Sequence, residues 1–207
     1  MPAMSKIKIC GLFRPEDIET VNEARPDYIG FVLAKSRRQV TLDEAQKLRK
    51  RLDTGIIPVG VFVNAPIEEI QRAFDAGVIE AAQLHGQEDE AYIRSLRRIC
   101  PVPIIKAIEV VSPDVITPWQ SSEANFLLLD NGKGTCSTGG TGKAFDWSLI
   151  PAMQKLYFLA GGIRLSNVDA ALTKKPYCID ISSGAETDGV KDRAKICRLV
   201  RRVREGF

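Results

Sequence analysis

Histidine is nearly missing from this 207-residue chain, with His85 as its sole representative. Zinc sites built from histidines and paired cysteines therefore have little material, and no metal is expected. The five cysteines, Cys10, Cys100, Cys136, Cys178 and Cys197, are dispersed, odd in number and form no CxxC pair. Such dispersal supports no disulfide framework and fits a reducing cytosol, so a cytoplasmic location is expected. Residues 1–8 lack the long apolar stretch of a signal peptide, and no segment approaches the length that crosses a bilayer. Strong charge of one sign is absent too. A formal net charge of +3 is too mild for a nucleic-acid surface, yet it would not repel a small anionic substrate. The densest basic run, 198–204, accompanies Ile196, Leu199, Val200 and Val203 at helical spacing, so its arginines read as the solvated face of a terminal helix. No Pro/Ser-rich linker divides the chain, and residues 1–207 are read as one domain.

What is present is an alternation. Short β-branched or apolar runs at 7–10, 28–33, 58–63, 81–84, 104–108, 126–129, 157–160 and 178–181 are separated by amphipathic, charged segments. Helix starts are marked by Pro15 with Glu16 and Asp17, by Asn64 ahead of Pro66, Glu68 and Glu69, and by Ser166 as a cap. Run ends recur about every 24 residues, the length of a strand, a crossover helix and two short loops, which makes neighbouring strands parallel. Eight such α/β units closing on themselves form a single (β/α)8 TIM barrel. Periodicity alone leaves an open doubly wound sheet as the alternative.

In such barrels the reacting groups gather at the C-terminal strand ends. Asp130 follows directly on Leu127-Leu128-Leu129, Gln83-Leu84 runs into His85-Gly86, and the first run ends in Cys10-Gly11. Each is a candidate proton donor or acceptor. Period two puts Lys8 and Cys10 on one face of strand one, and Cys178 and Asp180 on one face of strand eight, its neighbour in a closed barrel. Lys8 is thus placed to pair with Asp180 and to bias Cys10 towards thiolate. The alternative is an interior ion pair that serves packing alone. Lys106 on strand five is left pointing inward or outward.

Glycine-rich stretches follow strands six, seven and eight: Gly139-Gly140-Thr141-Gly142, Ala160-Gly161-Gly162 and Ser182-Ser183-Gly184. Glycine lets backbone amides approach an anion, and loops after strands seven and eight often hold a substrate phosphate. A nucleotide P-loop does not fit, because Ala144 follows Gly142-Lys143 and Ser137 stands where the first glycine belongs. A dinucleotide fingerprint is equally excluded by Cys10-Gly11-Leu12-Phe13 after strand one. Lys35-Ser36-Arg37-Arg38 could grip a carboxylate or phosphate, with an exposed loop as the plain alternative.

Taken in order, Lys8-Ile9-Cys10-Gly11-Leu12, Gly60-Val61-Phe62-Val63-Asn64, Gln83-Leu84-His85-Gly86, Gly139-Gly140-Thr141-Gly142-Lys143 with Phe145-Asp146-Trp147, Leu159-Ala160-Gly161-Gly162 and Asp180-Ile181-Ser182-Ser183-Gly184 before Gly189-Val190-Lys191-Asp192 span nearly the whole chain. Together they resemble the phosphoribosylanthranilate isomerases of tryptophan biosynthesis. The resemblance implies an Amadori rearrangement of N-(5-phosphoribosyl)anthranilate, a small phosphorylated substrate, without a cofactor. It implies Cys10 as general base and Asp130 as general acid. It further implies Arg38 on the anthranilate carboxylate, Asp180 on the sugar hydroxyls, and amides around Gly161, Gly162, Ser183 and Gly184 on the phosphate. His85 would line the same mouth. The chain departs from the family at Ser36-Arg37-Arg38-Gln39, where Ser-Pro-Arg-aromatic is commoner, so Arg37 competes with Arg38 for the carboxylate. Phe13 and the loop 131–138 also depart. Competing readings are another phosphosugar isomerase, which would carry aspartate at position 10, a synthase or epimerase sharing the phosphate loops, and a metabolite-binding barrel without turnover. Monomer and homodimer both stay open.

Overall fold

Eight parallel strands close into a barrel in the order of the chain. The computed structural model describes residues 4–131 and 145–206, and the strands are β1 (Lys6–Cys10), β2 (Tyr28–Val32), β3 (Ile57–Phe62), β4 (Ala81–Leu84), β5 (Ile104–Glu109), β6 (Phe126–Asp130), β7 (Tyr157–Leu159) and β8 (Cys178–Ile181). Closure comes from pairing of β1 with β8, in a register that sets Lys8 opposite Asp180. The doubly wound alternative is thereby excluded.

Side-chain alternation splits each strand between two apolar layers. Ile7, Ile9, Ile29, Phe31, Ile104, Leu127, Leu129, Ile179 and Ile181 face outward and are covered by the helices. Val59, Ala81, Ile105, Leu128 and Phe158 fill the barrel interior. At the N-terminal end, the rings of Tyr28, Phe126, Phe158 and Tyr177 pack edge-to-face or stacked at centroid distances of 5.0–5.8 Å. Lys6 lies over two of these rings. This aromatic floor fills the N-terminal end of the barrel.

The covering helices are α1 (Pro15–Ala24), α2 (Leu42–Arg49), α3 (Ile67–Asp75), α4 (Glu90–Ile99), α5 (Val168–Leu172) and α6 (Arg193–Glu205). Their starts follow capping chemistry. Thr41 and Glu44 form a reciprocal capping box on α2. Asp89 accepts from the Tyr92 amide on α4, and Asp192 from the Lys195 amide on α6. Pro15 opens α1 as expected. Ser166 does not cap α5. That helix begins after Asn167, while the Ser166 hydroxyl instead accepts from Arg164 Nε. In α6 the residues Ile196, Leu199, Val200 and Val203 are buried, which puts the arginine run on the outer face.

Two crossovers show no α-helix among the described residues; the one from β6 to β7 shows a single 3₁₀ turn, Trp147–Leu149. Between β5 and β6 the chain makes two 3₁₀ turns, Pro113–Val115 and Thr117–Ser121. Each turn has a proline in its first positions, and proline lacks the amide that would extend an α-helical ladder back into the preceding turn. Among the described residues, no helix is long and apolar enough to cross a membrane.

Candidate active site

The inward set of β1 is Lys6, Lys8 and Cys10, of which Lys8 is buried in the barrel interior and Cys10 reaches the open mouth. Cys10 pairs in register with Gly30 on β2. A Cβ at Gly30 would lie 2.6 Å from the Cys10 sulfur, so the glycine makes room for the thiol. Gly11 then turns the chain at φ 81, and the stem of Arg38 lies across it, only 2.5 Å from where a Cβ would be. Arg38 and Cys10 line the same cavity.

Asp180 reaches Lys8 from β8. Lys8 is fully buried, and its Nζ donates to Asp180 Oδ1 at 3.1 Å and to Gln83 Oε1 at 2.9 Å. Burial works against the ammonium charge, but Asp180 outweighs it and holds the lysine above its ordinary pKa. The expected ion pair is present, and Lys8 pulls the Cys10 thiol towards thiolate as expected, but burial outweighs that pull. Burial pushes the Cys10 thiol above its ordinary 9.0, and the downward pull of Lys8 and Lys191 does not cancel it. The free site holds a thiol whose ionisation is opposed by desolvation.

β6 delivers Asp130 across the mouth. Its Oδ1 accepts from the Asn131 amide at 2.7 Å, and its Oδ2 lies 3.5 Å from His85 Nε2. His85 Nδ1 is 2.7 Å from Gln83 Nε2. Lys106, the residue whose direction alternation left open, points outward with Ile104 and Ile108. Its Nζ donates to Gly86 O at 2.8 Å and to Glu88 at 3.0 Å, and the Glu88 carboxylate also accepts from the Asn64 and Gly86 amides. This outer ion pair braces the loop that carries His85.

Gly161 and Gly162 follow β7 with φ values of 83 and 68, in the left-handed region that glycine adopts without strain. Ser183–Ala185 forms one 3₁₀ turn after β8, and its first amides have no partners inside the turn. Cys10, Arg38, His85, Asp130, Asp180, Gly161, Gly162 and Ser183 line one cavity of about 820 Å³, its open mouth included. Gly184 stands behind the lining. A Cβ there would sit 1.9 Å from the Ile163 carbonyl oxygen, so the glycine locks the two loops together. Gly184→Ala is expected to destabilise the fold by about 1–3 kcal/mol through forced backbone movement, read as a lower urea midpoint. Inorganic phosphate should bind the variant more weakly. An unchanged midpoint would show that the loops give way freely.

Several lining or supporting residues escaped the sequence reading. Glu186 is the main one: Arg38 holds it bidentately at 2.6 and 3.0 Å, Arg37 contacts it at 2.6 Å and Lys191 at 2.9 Å. Its carboxyl is buried, which alone would raise its pKa, yet Arg38 and Lys191 draw it down to about 2. Glu186 and Lys191 belong to a small hairpin, β9 (Glu186–Thr187) and β10 (Val190–Lys191), and no spacing in the chain announces that they converge on Arg38. Arg37 is about half exposed and reaches Gly189 O, whereas Arg38 is largely buried and lines the cavity. Gln83 and Asn131 also line it. The stretch Gly139-Gly140-Thr141-Gly142-Lys143, together with Lys133, Cys136 and most of the loop 131–138, lies outside the described residues.

The chain matches the family model described as N-(5'phosphoribosyl)anthranilate (PRA) isomerase over residues 7–202. An N-(5'-phosphoribosyl)anthranilate isomerase of Endomicrobium trichonymphae is 44% identical over 202 residues, spanning 97% of this chain and 99% of that protein. The crystal structure of phosphoribosyl anthranilate isomerase from Thermotoga maritima superposes with a TM-score of 0.86 at 32% identity, covering 98% of this chain and 100% of the other. A phosphoribosyl anthranilate isomerase in complex with reduced 1-(o-carboxyphenylamino)-1-deoxyribulose 5-phosphate gives 0.81 at 29% identity, with 98% and 100% covered.

Proposed function

This chain belongs to the N-(5'-phosphoribosyl)anthranilate isomerase family, and from that premise we propose that it catalyses the Amadori rearrangement of N-(5'-phosphoribosyl)anthranilate in tryptophan biosynthesis, with Asp130 as general acid and Cys10 as general base. The observation that carries the assignment is the convergence of a carboxyl from β6 and a sulfur from β1 on one cavity beside Arg38, Asp180 and the glycine turns. Each proton-transfer group then stands within reach of a single bound sugar.

Asp130 gives its proton to the ribose ring oxygen as the C1′–O bond breaks, and the anthranilate nitrogen lone pair closes a C1′=N iminium. Cys10, as thiolate, removes the C2′ proton. The released electron pair forms C1′=C2′ and neutralises the iminium, leaving an enolamine that tautomerises to the C2′ ketone. The substrate's own nitrogen serves as electron sink. Arg38 meets the anthranilate carboxylate with the guanidinium N–H donors left over from Glu186, which takes the Nε and one Nη2 proton and fixes the group in the cavity wall. Asp180 orients the sugar hydroxyls, His85 lines the same side as Asp130, and amides near Gly161, Gly162, Ser183 and Gly184 receive the phosphate.

Freshly made N-(5'-phosphoribosyl)anthranilate should lose its anthranilate fluorescence in the presence of this protein far faster than in buffer. Decay no faster than the buffer blank would sink the reading and leave a barrel that binds phosphorylated metabolites or isomerises another sugar. Position 10 separates the latter by sequence, since the related phosphosugar isomerase is expected to carry aspartate there.

A further inference from the structure

A chain of polar side chains runs across the barrel interior beneath the cavity, and its direction is set by chemistry at one end. Lys8 has only N–H donors, so the Gln83 atom 2.9 Å from its Nζ must be the amide oxygen. Asp180 occupies Lys8 from the other side and keeps it charged. With its oxygen so committed, Gln83 turns its NH₂ towards His85, and Nε2 lies 2.7 Å from the imidazole Nδ1. An NH₂ group facing a ring nitrogen requires that nitrogen to be bare. The imidazole proton is therefore left on Nε2, the atom 3.5 Å from Asp130 Oδ2. Gln83 itself is almost wholly buried, as is Lys8, so water does not compete for these contacts.

We propose that Gln83 is a positioning residue for the isomerisation: through its Lys8-fixed amide it holds His85 as the Nε2–H tautomer, so that the imidazole presents a donor, not an acceptor, to Asp130. The inference rests on the assignment of Asp130 as general acid. Its consequence lies in where the acid's proton goes. A bare Nε2 facing Asp130 would accept a hydrogen bond from the protonated carboxyl and hold the proton that the ribose ring oxygen needs. With Nε2 already protonated that route is closed, and the N–H instead favours the carboxylate that Asp130 becomes as its proton passes to the ring oxygen, so it supports the charge that develops during ring opening. Gln83 touches neither the sugar nor the reacting atoms in this scheme; it acts only through His85.

His85 being the only histidine, a ¹⁵N-histidine-labelled sample gives the nitrogen spectrum of this one ring. Recorded on the free wild-type protein above the ordinary histidine titration range, Nδ1 should resonate as a bare nitrogen and Nε2 as a protonated one. A proton on Nδ1, or a mixture of tautomers, overturns the proposal without any variant. Gln83→Glu reverses the polarity, because a carboxylate still satisfies Lys8 but offers His85 only an acceptor. It should move the proton to Nδ1 and lower kcat on the order of 10²-fold with little change in KM. A Gln83→Glu protein that keeps the Nε2–H tautomer, or that shifts tautomer with kcat unchanged, contradicts the proposal. The spectrum needs no substrate, so a wrong tautomer is told apart from a wrong choice of reaction.

Discussion

Cys10→Ala is expected to lower kcat by about 10²–10⁴-fold, the usual contribution of a positioned acid or base, while an analogue of the ketose product still binds. Binding should survive because the groups assigned to the carboxylate, hydroxyls and phosphate sit on other strands and loops: Arg38 after β2, Asp180 on β8, the glycine turns after β7 and β8. The fold should survive because the sulfur borders the cavity in a recess left by Gly30. The wild-type pH dependence follows from the same surroundings. A base works deprotonated, and burial raises this thiol above 9.0 in the free protein. The thiolate fraction therefore grows as pH rises, and the thiolate absorbance that separates wild type from Cys10→Ala should go on climbing through and beyond 9.0. Lys8 and Lys191 are the cations that keep the thiolate attainable. Fluorescence-decay rates of the variant test the first point, and ultraviolet absorbance of both proteins across a pH series tests the second. Full activity in Cys10→Ala would remove Cys10 from the role of base, and a thiolate difference signal that levels off below 9.0 would contradict the raised thiol.

How much of this was legible beforehand depends on the range of the signal. Strand positions were readable because each strand is a short apolar run between turn residues, and the observed bounds shift by only a residue or so at several ends. Ion pairing of Lys8 with Asp180 was readable because alternation and closure fix which faces meet. The proton affinity of Cys10 was not, since neighbouring charges can be placed from a pattern whereas the depth of burial cannot. Glu186 was invisible for a related reason. Its partners Arg37 and Arg38 lie 149 and 148 residues away, and it reaches them from a two-strand hairpin with no hydrophobic period to register it. Adjacency in sequence leaves Arg37 as a rival to Arg38, and the structure puts the two in different places. Arg38 lies under the cavity over Gly11, and Arg37 is turned outward to Gly189. The missing helix after β5 was readable in principle, since Pro113 and Pro118 both stand in that stretch.

Asp130→Asn should match the loss in Cys10→Ala, again about 10²–10⁴-fold in kcat, but it should stop the reaction one step earlier. Asparagine keeps the size of aspartate and can still accept from the Asn131 amide, the contact that fixes Oδ1 at 2.7 Å. What it loses is a proton to give. Without that proton the C1′–O bond stays closed, so bound substrate should remain a single ring-closed anomer. In Cys10→Ala the acid is intact, the ring opens and recloses, and the two anomers of bound substrate should interconvert although no ketose forms. Magnetic-resonance observation of C1′-labelled substrate on each variant separates the two cases. Anomer exchange on both variants would mean that ring opening does not depend on Asp130. Exchange on neither would mean that Cys10 takes part before the C2′ proton is removed. Only exchange on Cys10→Ala alone is consistent with a carboxyl that opens the sugar and a sulfur that acts on the opened form.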